Sequence, residues 1–194
     1  MKRLISAILI VVIVLAVLIG GGVYLMRFGY ATYERSAYPL KYTEYVATYA
    51  DEYDLQPSIV YAVIRTESRF DPNAKSSVGA KGLMQLMDVT YEWAQSRLPG
   101  ADEPLDRIFD PETNIRCGCV YLRYCFDNFT DTRAAIAAYN AGVNKVSGWL
   151  EDSRYSDDGV TLKSIPIEET RNYVDYVLKA QAIYQRLYQP DGED

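Results

Sequence analysis

Residues 57–87 read PSIVYAVIRTESRFDPNAKSSVGAKGLMQLM, and this stretch decides what kind of domain the chain builds. Pro57 suits the first turn of a helix, where its missing N–H costs nothing. Val60, Val63, Ile64 and Glu67 follow at i, i+3, i+4 and i+7, so all four share one helical face. Three of them are core formers and the fourth is a carboxyl. Residues 68–70 and then Asp71-Pro72 break the helix, and a loop rich in small residues continues over 76–82. A carboxyl on an apolar stripe calls for a reason. Burial penalises its charged form and raises its pKa, which is what a general acid working near neutral pH requires. The plain alternative is a charged residue at a helix end, reaching water.

Outward from this stretch the pattern is helical almost throughout, and it predicts a mainly α fold. Tyr42, Tyr45, Val46, Tyr49 and Tyr53 recur at three- and four-residue steps before Asp54 ends their helix. Asp88 or Thr90 is placed to cap a helix running to Arg97. Asp110-Pro111 opens another, with Ile115, Cys119, Leu122, Phe126 and Phe129 facing inward. Asp131 caps a short helix to Asn140, ended near Gly142. The last helix begins around Pro166 and runs to about Tyr188, with Tyr173, Val177, Ala180, Tyr184 and Leu187 on its inner face.

The front of the chain is different. Residues 4–26 carry no charge, and at about 1.5 Å per residue such a run reaches roughly 35 Å, enough for a bilayer core of about 30 Å. It predicts a transmembrane helix. A cleavable signal peptide is the competing reading, with Lys2 and Arg3 at its start and Gly20, Gly21 and Gly22 at its end. Lys2 and Arg3 before the run place the N-terminus in the cytoplasm and the rest of the chain outside. The expected organisation is a cytoplasmic stub and anchor over 1–27, a stalk over 28–40, a helical domain over 41–189 and a tail over 190–194.

Charge and composition exclude several kinds of function. After residue 27 the chain carries 17 basic and 26 acidic residues, a net −9, which repels phosphate backbones and argues against nucleic acid as a partner. Histidine is absent, which removes Ser-His and Cys-His nucleophile systems and the usual histidine-based zinc sites. Cys117, Cys119 and Cys125 fall on one predicted helix. Their offsets rotate the side chains apart by about 200°, 120° and 80°, so no pair can bridge within it. They are expected to be free thiols, with Cys119 and Cys125 in the core, and their spacing is wrong for a chelating turn. No metal and no cofactor is expected.

Three ordered blocks then make the chain specific. The run from Glu67 to Met87, the block AYNAG from Ala138 to Gly142, and the block IPIEETRNYV over 165–174 resemble, in order, the signatures of the soluble-lytic-transglycosylase catalytic domain. The resemblance covers roughly residues 40–188. It implies a goose-lysozyme-like helical domain that cleaves the β-1,4 bond between N-acetylmuramic acid and N-acetylglucosamine in peptidoglycan strands without adding water. Glu67 matches the catalytic acid. In that scheme it protonates the leaving oxygen and then takes the proton of the C6 hydroxyl, which closes a 1,6-anhydro ring.

The same resemblance carries further residues over. Ser76 matches a serine that hydrogen-bonds near the acid, and Gly79 and Gly82 match positions where the backbone passes close to sugar or takes positive φ. Met84 and Gln85 match cleft-lining residues, with Leu83 and Leu86 assigned to the core. Tyr139 and Asn140 match the second block, where the tyrosine stabilises developing positive charge or orients the acid. Glu169 matches the glutamate of the third block, either touching substrate or linked to Arg171. Asp71 is assigned to turning the chain with Pro72. Asp88 departs from the family, which commonly has proline there. Of the 18 tyrosines, only Tyr139 is assigned to the cleft. Two other readings stay open at this level: a hydrolytic muramidase of the same fold, and a non-catalytic wall-binding or assembly protein.

Overall fold

A computed structural model of the protein describes residues 2–100 and 103–188, with side chains described from residue 15 onward except at 16, 27 and 31. The chain divides into two units, Met1–Pro39 and Leu40–Asp194.

The first unit is one long helix, α1 (Lys2–Ala37), which continues through most of the segment expected as a stalk. Leu15, Val17, Leu18, Ile19, Val23 and Leu25 along it are exposed apolar side chains. Among the described residues no helix is long and apolar enough to cross a membrane. The predicted span over 4–26 falls partly outside them, because residues 4–14 and 16 have no described side chains.

The second unit is helical: α2 (Thr43–Glu52), α3 (Pro57–Ser68), α4 (Asp88–Gln95), a 3-10 helix (Leu105–Phe109), α5 (Pro111–Asn128), α6 (Thr132–Ala141), α7 (Val143–Leu150) and α8 (Glu168–Tyr188). Among the described residues there are no strands, and β pairing is confined to isolated bridges, Lys75 with Lys81 and Lys81 with Leu86. Several boundaries follow from local chemistry. Pro57 and Pro111 occupy first turns. The Asp110 carboxylate accepts from the Thr113 N–H at 3.0 Å, and Asp131 accepts from the Arg133 N–H at 3.2 Å, so both cap as expected. Asp88 does not cap. It is the first residue of α4, whose cap position is Met87, and its carboxylate pairs with Lys81 at 2.6 Å.

α3 runs through the middle of the unit. Residues 58–64 are all buried, and the predicted stripe of Val60, Val63 and Ile64 is fully so. Burying each such side chain contributes roughly 1.5–3 kcal/mol, which fixes the helix and aims its C-terminal end. α8 lies along α3, and α6 packs between α5 and α8. Ile115, Cys119, Leu122 and Cys125 of α5 and Ala134, Ala135, Ala137 and Ala138 of α6 are fully buried between these layers. All three cysteines are free and buried, Cys117 included, and burial pushes the Cys117 thiol up to about 11. They act as small core residues.

Candidate active site

The site begins where α3 stops. Arg69 takes left-handed geometry (φ 52°) and its N–H donates to the Arg65 carbonyl at 3.1 Å, while Phe70 follows at φ 66°. Two successive side chains in this region are strained by roughly 1–3 kcal/mol each. The buried Phe70 ring against Tyr61, 6.4 Å between centroids, helps to hold the turn. Asp71 accepts from the Asn73 N–H at 2.9 Å and is exposed, which suits its assignment to the turn.

One residue before that helix end, Glu67 lines a cavity of about 400 Å³. Burial is the main influence on its carboxyl and pushes it up to about 7. The helix end works in the same direction, since its unpaired carbonyls disfavour a negative charge. The Tyr173 hydroxyl of α8 opposes the rise. That hydroxyl is buried and, among the described residues, meets no partner within hydrogen-bond geometry, so its effect is that of a close neighbour. Although Glu67 keeps some exposed surface, the carboxyl has exchanged most of its hydration for protein.

The loop between α3 and α4 forms a folded cradle. Ser76 and Ala80 are joined by the Ser76 N–H to the Ala80 carbonyl (2.9 Å) and the Ala80 N–H to Ser76 Oγ (3.0 Å). Lys81 and Leu86 exchange both backbone bonds at 2.9 Å, enclosing a tight turn. Within it Gly82 sits at φ 76° and Gln85 at φ 49°. The Gln85 Nε2 donates to the Gly82 carbonyl at 2.8 Å and the Ala74 carbonyl at 3.2 Å. Both amide hydrogens are thereby used, and Oε1 remains as an acceptor.

α6 and α8 supply the other side. The Tyr139 hydroxyl donates to the Met84 carbonyl at 2.9 Å. Burial and the nearby Glu67 both push that phenol well above its ordinary value, so it stays protonated. Thr170 Oγ1 donates to Asn140 Oδ1 at 2.8 Å, tying the first turn of α8 to the end of α6. Glu169 lies beside it on the cavity. Arg171 donates to the Ile165 carbonyl at 3.2 Å, and among the described residues no ion pair joins it to Glu169.

Glu67, Ser76, Gln85, Tyr139, Asn140 and Glu169 therefore line one cavity. Gly82 and Met84, expected there too, do not. Both are buried, Gly82 against Asn114 and Met84 against Gly118. Met87, three residues on and 40 % exposed, lines the cavity instead, as do Val78, Thr90 and Tyr121. The helical spacing of Tyr121 is that of a core tyrosine and does not point to the cavity, and its ring does contact Tyr139, at 5.3 Å.

The family model for the transglycosylase SLT domain matches residues 44–160. The chain belongs to that family. The chain is 40% identical over 152 residues to the soluble lytic murein transglycosylase of Escherichia coli strain K12, covering 76% of this chain and 23% of that protein. It is 31% identical over 169 residues to the membrane-bound lytic murein transglycosylase C of Serratia proteamaculans, covering 75% of this chain and 47% of that one. Among solved structures, the 70 kDa soluble lytic transglycosylase of Escherichia coli matches at TM-score 0.70 and 35% identity, over 79% of this chain and 25% of that one. The complex of the 70 kDa soluble lytic transglycosylase with bulgecin A matches at TM-score 0.71 and 35% identity, over 81% and 26%. The chain thus spans about a quarter of the length of the soluble relatives, and the part shared is the SLT domain with its lysozyme-like helical architecture.

Proposed function

We propose that the chain is a membrane-anchored peptidoglycan lytic transglycosylase. Glu67, protonated, gives its proton to the oxygen joining C1 of N-acetylmuramic acid to N-acetylglucosamine. The C1–O bond breaks and the N-acetylglucosamine end leaves as an alcohol. The Glu67 carboxylate then accepts the proton of the C6 hydroxyl as O6 bonds to C1, which closes the 1,6-anhydro ring and restores the acid. No water is consumed. The observation that carries this reading is a carboxyl pushed up to about 7 in the cavity of an SLT domain. A group poised there can both donate and accept a proton near neutral pH.

The neighbours fit supporting roles. With its hydrogen given to Met84, the Tyr139 oxygen has lone pairs left to stabilise positive charge developing at C1. Gln85 Oε1, Asn140, Ser76 and Glu169 offer polar contacts to a sugar, and Val78 and Met87 an apolar one. The decisive experiment digests purified peptidoglycan with the full chain and weighs the fragments. Anhydro ends, one water lighter than reducing ends, are expected; reducing ends alone reject the reading in favour of a hydrolase, and no cleavage leaves a wall-binding role.

Anchoring is supported by the uncharged run over 4–26 inside the 36-residue helix α1, which at about 1.5 Å per residue is longer than a bilayer core is thick. The N-terminus then lies in the cytoplasm and the SLT domain outside, where peptidoglycan is. The full chain should sediment with membranes and need detergent for release, while residues 28–194 should not. A full chain that stays soluble rejects the anchor.

A further inference from the structure

Asn114, on the first turn of α5, is fully buried and does not line the cavity. Its Oδ1 accepts the Met84 N–H at 2.8 Å, and its Nδ2 donates to the Ile108 carbonyl at 2.7 Å and the Lys81 carbonyl at 3.2 Å. Two of those three bonds thus end on the turn enclosed by Lys81 and Leu86. The amide also fills the space beside Gly82, where an added Cβ would lie 2.2 Å from Nδ2. One helical turn on, a Cβ at Gly118 would lie 2.2 Å from the Met84 sulfur. α5 therefore grips Met84 twice, its N–H through Asn114 and its side chain in the hollow at Gly118. The Met84 carbonyl in turn accepts the Tyr139 hydroxyl at 2.9 Å.

We infer that Asn114 is a positioning residue for the reaction: it sets the Met84 peptide that holds the Tyr139 hydroxyl in place beside Glu67. A core position needs only volume, and an apolar side chain of similar size would supply it. An amide spending three bonds on the backbone, two of them on one turn, does something different. It removes that turn's freedom to shift, and a shift of about 1 Å at a reacting group can cost about 10² in rate. The inference rests on the catalytic reading of Glu67 and Tyr139.

The test is a double-mutant cycle on the full chain, with kcat for release of anhydro-ended fragments as the readout. Asn114→Ala is expected to lower kcat by about tenfold to a hundredfold in the wild-type background. In the Tyr139→Phe background it should cost no more than about twofold, because the hydroxyl it positions is gone. Equal losses in both backgrounds, or unchanged kcat in Asn114→Ala, overturn the inference. If circular dichroism shows Asn114→Ala unfolded at the assay temperature, Asn114→Leu takes its place, keeping the buried volume while removing all three amide bonds. The same dependence on the Tyr139 hydroxyl is then expected, and its absence overturns the inference. A wild-type chain that releases no anhydro ends defeats the functional reading and this inference together, whereas equal losses in an active chain defeat this inference alone.

Discussion

The Tyr139 hydroxyl and the Met84 carbonyl oxygen lie 2.9 Å apart, and this bond joins α6 to the turn that presents Gln85. Fifty-five residues of chain separate the two partners, so the bond closes the cavity wall between distant segments. Tyr139→Phe keeps the ring and leaves a buried carbonyl unpaired, which costs about 1–3 kcal/mol. A lower Tm and a kcat reduced by about tenfold or more are expected together. Unchanged kcat would remove Tyr139 from the reaction.

Glu67→Gln preserves shape and removes the transferable proton. By the scale of general-acid effects the rate should fall by at least about 10² to 10⁴, with binding of glycan fragments largely kept. Comparable turnover by this variant would end the assignment of Glu67 as the acid.

The raised Glu67 carboxyl also makes a stability prediction. Its folded value, about 7, lies above the ordinary 4.5, so the folded state binds the extra proton between those values. Stability is fully present below about 4.5 and is lost as pH rises through about 7. With some surface still exposed, the loss should be about 1–3 kcal/mol. Glu67→Gln cannot ionise, so its Tm should exceed that of the wild type at pH 8, and the gap should close at pH 5. The cleavage rate of the wild type should fall above about pH 7 on the same proton. Parallel melting curves across this range would contradict the burial of the carboxyl.

Gly82→Ala meets two obstacles at once. The added methyl would lie 2.2 Å from Asn114 Nδ2 and 2.7 Å from the Ile108 carbonyl oxygen, and φ at this position is 76°. Overpacking alone costs about 1–3 kcal/mol, and the left-handed backbone adds to it. Denaturant titration should show the loss, although residue 82 does not line the cavity.

At the first residue of α4, Asp88→Pro should be nearly neutral. A first-turn proline loses no helical bond, and Met87 is already extended, at φ −74° and ψ 151°, as a residue before proline prefers. The variant gives up the ion pair with Lys81, worth about 0–1 kcal/mol on a partly exposed surface. A Tm change of more than a few degrees would show that the pair does more than its exposure suggests.

Much of this was open to a reader of the chain alone. The i, i+3, i+4, i+7 spacing of Val60, Val63, Ile64 and Glu67 marks one face because helix geometry leaves no other arrangement, and the first-turn place of Pro57 and the capping by Asp110 and Asp131 are equally local. Local rules do not reveal the 3-10 helix Leu105–Phe109, which is too short to carry a repeat, or α7, whose Val146, Trp149 and Leu150 share a buried face but which spans only eight residues directly after the stop at Gly142. Local rules make Asp88 a cap, but its carboxylate pairs with Lys81, a partner no local rule names.

The order of residues settled the mainly helical fold, the carboxyl near the end of α3 and the family, because these depend on periodicity and on motifs that lie within a few turns of chain. Which side chains face the cavity was settled by packing between segments far apart in sequence. Gly82 turned inward against the Asn114 amide of α5, and Met84 because Gly118 leaves a hollow that its side chain fills, while Met87 and Tyr121 took places on the cavity wall. Proximity of Tyr173 to Glu67 likewise follows from α8 lying against α3. Spacing along a helix says which face is buried; what that face meets is set by the neighbouring helices, and at this site those neighbours bring the Tyr139 and Tyr173 hydroxyls near the Glu67 carboxyl.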